Sequence, residues 1–122
     1  MSLLQKLKDT VSQPTNRPVN TSITPDDAYK AVSNERRRRV LGFLSEHDVG
    51  ETVSVSDLAD RLSNGENRTA CYVALIQSHM IVLSTKDGIG AVDYDTQAKT
   101  VTVRPEVFVL HQAAKAFETE LN

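Results

Sequence analysis

Residues 67–85, NRTACYVALIQSHMIVLST, decide how the chain is read. The stretch has neither proline nor glycine. Its apolar side chains recur at steps of three and four, with Tyr72, Leu75, Ile76, His79, Met80 and Leu83 on one inward face, which predicts a long helix. Lys86-Asp87-Gly88 closes it. Arg68 stands at its start and Lys86 at its end, with Thr69, Gln77 and Ser78 between them.

Working upstream, Asn64-Gly65 is a turn signal. Ser56 to Leu62 reads as one short helix, capped by Ser56, with Leu58, Ala59 and Leu62 inward. Val53-Ser54-Val55 alternates as a very short strand. Before it, Val40, Leu41 and Leu44 give a second helix its buried stripe, with Ser33 or Asn34 as the cap. Gly42 weakens that helix and points to close packing. Thr24-Pro25-Asp26-Asp27 opens a first helix with a capping hydroxyl, a proline at the first position and acids in the first turn. Leu3, Leu4, Leu7 and Val11 suggest a short N-terminal helix, cut off by a linker containing Pro14 and Pro18.

Working downstream, residues 89–95 and 100–104 are two alternating runs around the polar turn 96–99, the pattern of a β-hairpin. Pro105-Glu106 opens a last helix. In it Val107, Leu110, Ala114, Phe117 and Leu121 recur as an a/d seam. The expected class is therefore α+β: a winged helix-turn-helix over residues 24–104, with an N-terminal arm and linker at 1–23 and a C-terminal dimerisation helix at 105–122.

Composition limits the alternatives. A chain of 122 residues is one domain. Cys71 is the single cysteine, which excludes an internal disulfide framework and fits a reducing cytoplasm. No apolar run is long enough to span a membrane, and the N-terminus does not read as a signal peptide. His47, His79, His111 and Cys71 lack metal-ligand spacing. Gly88-x-Gly90 lacks the rest of a nucleotide loop. No catalytic constellation stands out, so neither an enzyme nor a cofactor is expected. His79 reads as a core histidine.

The order of elements has a geometric use. A longer second helix fits the major groove, roughly 12 Å wide, while the helix before it holds the angle and the hairpin reaches flanking phosphates. Double-stranded DNA is the expected partner. Thr69, Gln77 and Ser78 would face base edges, and Arg68, Lys86 and Lys99 the backbone. In the run Arg36-Arg37-Arg38-Arg39, successive residues are about 100° apart. Arg37 and Arg38 would meet phosphates; alternatively the run is a solvated face with pairs such as Arg39 with Glu35. The seam Val107, Leu110, Ala114, Phe117 and Leu121 would join two copies, setting two reading helices about 34 Å apart. The net charge of −2 runs against a nucleic-acid partner. It keeps open a second reading, a protein-interaction module in which Ile81 and Val82 form the exposed contact.

Asn34-Glu35-Arg36-Arg37-Arg38-Arg39-Val40-Leu41, Val55-Ser56-Asp57-Leu58-Ala59, Tyr72-Val73-Ala74-Leu75 with His79-Met80 and Leu83, and Val92-Asp93-Tyr94-Asp95 together resemble the small winged-helix domains of haloarchaea. Those are similar to ArsR-type regulators. The resemblance spans about residues 26 to 103 and implies a transcriptional regulator. Where the family usually has a lysine before Leu83, this chain has Val82, and residues within 86–90 are inserted before the hairpin. Both changes leave the reading helix poor in positive charge.

Overall fold

The computed structural model describes residues 23–63, 67–86 and 88–121. The helix expected near residues 1–12, its linker, the Asn64-Gly65 turn and Asp87 lie outside the described residues. In chain order the elements are α1 (Pro25–Val32), α2 (Glu35–Leu44), β1 (Thr52–Ser54), α3 (Val55–Leu62), α4 (Arg68–Ala74), a π-helical turn (Leu75–His79), α5 (Met80–Leu83), β2 (Val92–Asp95), β3 (Thr100–Val103) and α6 (Glu106–Leu121). The architecture is α+β. Helices surround a small antiparallel sheet with strand order β1-β3-β2.

Each early helix starts where a side-chain oxygen takes an otherwise unpaired N–H. Thr24 accepts from Asp27 N at 3.1 Å, and Asn34, not Ser33, accepts from Arg37 N at 3.1 Å. For α3 the expectation is corrected. Ser54 is the cap, accepting from Asp57 N at 3.0 Å, so Val55 leaves the strand and opens the helix. Ile23, within the expected N-terminal arm and linker, is buried in the core. At Gly42 an added Cβ would sit 3.7 Å from His111 Cε1, an ordinary contact, so the close packing expected there does not require glycine.

The long helix expected over 67–85 is one rod with a π-turn in its middle. Met80 N–H donates to Leu75 O, five residues back. Four residues of α-helix rotate about 400°, so a ridge at steps of four drifts by about 40° each time. The wider turn absorbs one residue and much of that drift. As a result Cys71, Leu75, His79 and Leu83 are all buried, while Thr69, Val73, Gln77, Ile81 and Thr85 are all exposed. Tyr72 and Ile76, expected inward, are only half-buried, and Cys71 takes the inward place instead.

After the rod the chain folds back on its own C-terminal carbonyls. Ile89 N–H donates to Val82 O at 2.8 Å, Ala91 N–H to Leu83 O at 2.8 Å, and both Gly88 and Gly90 N–H to Ser84 O. At Gly88 a Cβ would lie 2.0 Å from Val82 O, so only glycine admits this approach. This return delays the hairpin, and β2 begins at Val92 rather than Ile89. β3 then pairs with β2 on one side (Val92 opposite Val103, Asp95 opposite Thr100) and with β1 on the other (Val53 opposite Val101). Val53, Val92, Val101 and Val103 face the core.

The expected dimer seam is used within the chain. α6 packs on α1 and α2, and Val107, Leu110, Ala114 and Phe117 are buried there, joined by Ala113. Burying each large side chain stabilises the fold by about 1.5–3 kcal/mol. Turning the seam toward a second copy would forfeit that, so these residues are core and not a free interface. Leu121 ends the helix, and its side chain lies outside the described residues.

Candidate nucleic-acid interface

The rod's outer ridge, Thr69, Val73, Gln77, Ile81 and Thr85, is uncovered, and Ser78 stands exposed beside Gln77. Val73 is 37% and Ile81 39% exposed, and among the described residues Tyr29, Val49 and Phe108 are also exposed, elsewhere in the fold. No residue between Arg68 and Lys86 is an acid, lysine or arginine. The surface is therefore a neutral strip of methyl groups, hydroxyls and one amide. Val82, expected to be exposed with Ile81, is half-buried where the chain folds back over it.

The arginine run lies behind the rod and serves the fold. Arg37 donates from Nη2 to Lys30 O at 2.7 Å and from Nε to Ala31 O at 3.1 Å, and Arg38 donates from Nη1 to Val32 O at 2.8 Å. Arg39 Nη2 donates to Leu62 O, the last residue of α3. These carbonyls lie at helix C-termini, which carry partial negative charge that cationic donors satisfy. Arg38 Nε also lies 3.3 Å from Glu118 Oε1, and its guanidinium sits 4.8 Å from the centre of the Phe117 ring. Arg37 and Arg38 are thus engaged inside the domain, which corrects their assignment to phosphates. The expected pairing of Arg39 with Glu35 gives way to the carbonyl of Leu62 for the same reason.

His79, the last residue of the π-turn, is buried against the same run. Arg36 Nη1 lies 3.5 Å from its Nε2 and Arg37 Nη1 3.4 Å from its Nδ1. Burial first, then the charges of Arg37 and Arg36, lower its pKa to about 4. The ring is neutral at pH 7 and structural, as its spacing suggested.

Cations flank the ridge. Arg68, exposed at the start of the rod, is tied back to α3. It pairs with Asp60 and donates from Nη2 to Ser56 Oγ at 2.6 Å. Its pKa is raised, chiefly by the hydrogen bond to Asp60. Lys86 is exposed just beyond the far end of the rod. Lys99 closes the β2–β3 turn, half-buried, with Nζ donating to Thr96 O. Its φ is +56°, a left-handed conformation that a side chain adopts at a cost. Its carbonyl accepts from Val55 N at 2.9 Å, which ties the turn to the start of α3. Asp95 accepts from Ala98 N and Gln97 N in the same turn, and those bonds lower its pKa.

Of the expected contacts, Thr69, Gln77 and Ser78 share the rod's outer face, with Arg68 and Lys86 toward its two ends. Lys99 belongs to the hairpin, and Arg37 and Arg38 lie elsewhere. Val73 and Thr85 were not singled out in the sequence. The signal was present as the step-of-four series beginning at Thr69, but a helix read at ordinary spacing disperses that series around the rod.

Residues 29–102 match a family described as a domain of unknown function (DUF7344). No curated protein and no solved structure is significantly similar to the chain. The match runs from α1 through β3 and excludes α6.

Proposed function

The chain belongs to the DUF7344 family, and we infer that it is a winged helix-turn-helix protein that binds double-stranded DNA through the outer face of its rod. α3 and α4 are the helix pair, the rod is the reading helix, and the β2–β3 hairpin is the wing. The observation carrying this reading is the uncovered ridge Thr69–Val73–Gln77–Ile81–Thr85, on a helix braced from behind by α3. Such a ridge is what a major groove admits. Arg68, Lys86 and Lys99 supply backbone contacts, with Arg68 exchanging Asp60 for a phosphate. Regulation of transcription is the role that goes with this site, in keeping with the likeness to ArsR-type regulators.

One observation favours a second reading, a protein-interaction module. Arg37 and Arg38, the two arginines of the run expected to serve phosphates, are occupied by the fold, and the strip itself is uncharged. Titration against random duplex DNA at several salt concentrations separates the two. The DNA reading expects binding that weakens as salt rises, with a shallow slope set by about three phosphate contacts. No binding at the lowest ionic strength would leave the protein-contact reading.

A further inference from the structure

We propose that the ridge reads A·T base pairs, with Val73 and Ile81 seated on thymine methyl groups and Gln77 on adenine between them. The inference rests on the DNA reading above and names the sequence class it selects. In the major groove the commonest specific contact is arginine or lysine to guanine, and the strip between Arg68 and Lys86 contains neither residue. What it offers is the complement of the other base pair. Thymine presents a C5 methyl group, which favours apolar contact, and adenine presents N6 and N7, which a glutamine amide meets bidentately.

The exposed apolar residues are also placed for this. Val73, Gln77 and Ile81 are all exposed along one ridge. Eight residues of α-helix would advance about 12 Å, and the π-turn at Leu75–His79 shortens this to roughly 10–12 Å. Bases follow one another at about 3.4 Å along a strand, so that distance spans three to four steps. The two methyl contacts therefore fall roughly two base pairs to either side of the adenine met by Gln77. Charge follows the same division, with cations toward the ends of the strip and none on it. That suits a duplex whose phosphates border a methyl-lined groove floor.

The test uses the full chain and three short duplexes: one of A·T pairs, the same duplex with every thymine replaced by uracil, and one of G·C pairs. Uracil removes the methyl group and leaves pairing and charge unchanged. Binding should rank thymine over uracil by about fourfold per contacted methyl, the worth of one buried carbon. It should rank the G·C duplex last. Val73→Ser with Ile81→Ser should bring the thymine and uracil affinities together while leaving the salt dependence unchanged. Equal binding of the thymine and uracil duplexes by the wild-type protein, or preference for G·C, would overturn the inference and leave DNA binding standing. Absence of binding to all three at low salt would overturn the DNA reading itself, and this inference with it. If the double variant does not fold, the wild-type comparison still decides.

Discussion

Arg37 shows how a residue's surroundings reassign it. In the sequence it is one of four cations near a proposed DNA site. In the fold it bonds to the carbonyls of Lys30 and Ala31, the end of α1. Arg37→Ala should therefore cost about 1–3 kcal/mol of stability, measured by denaturant unfolding, and leave the salt dependence of duplex binding unchanged. A variant of normal stability with a flattened salt slope would return Arg37 to the interface. His79 makes a prediction of the opposite kind, set by pH. Its folded pKa, about 4, lies below its ordinary value of 6.5. The unfolded chain therefore binds the proton more readily across that window. Its contribution is intact above pH 6.5 and is lost as pH falls towards 4, on the order of 3 kcal/mol at most. His111, whose pKa is also lowered by burial, acts in the same direction. Unfolding of wild type and His79→Gln at pH 7 and pH 4.5 isolates the share of His79. The variant should lose less stability on acidification, and an equal loss would show that His79 contributes nothing.

At the scale of elements, what the sequence discloses depends on how local the cause is. The caps at Thr24 and Asn34, the hairpin and the inward faces of α2 and α3 follow from neighbouring residues and are legible. The π-turn is not, because it depends on how the rod's two halves meet the core, and no local signal separates one extra outward residue from ordinary spacing. The fate of the α6 seam was equally hidden. A seam of Val107, Leu110, Ala114 and Phe117 looks the same whether it meets α1 and α2 or a second copy. The arginine run was legible as charge but not as capping, since its carbonyl partners at Val32 and Leu62 become neighbours only on folding. The wing turn yields a prediction of its own. Lys99 holds a left-handed φ that glycine adopts freely. Lys99→Gly should raise stability by about 1 kcal/mol while weakening duplex binding. If binding is unaltered, the lysine has no part in DNA contact.

Across the whole molecule, charge and packing together define the surface left for a partner. The net charge is −2, and the arginine run is turned inward, so attraction to a polyanion is local and modest. Among the described residues no helix is long and apolar enough to cross a membrane. The core joins α1, α2, α3 and α6 with the sheet and the inner side of the rod, and among the described residues the rod's outer ridge is exposed. The most direct test of that surface is to titrate duplex DNA into isotopically labelled protein and record which amide resonances move. The largest shifts should fall on Thr69, Val73, Gln77, Ser78, Ile81 and Thr85, with smaller ones at Lys99 and none at Val107, Leu110 or Ala114. Shifts centred on α6 or on the arginine run, with the rod unmoved, would contradict the assignment of the groove-reading surface.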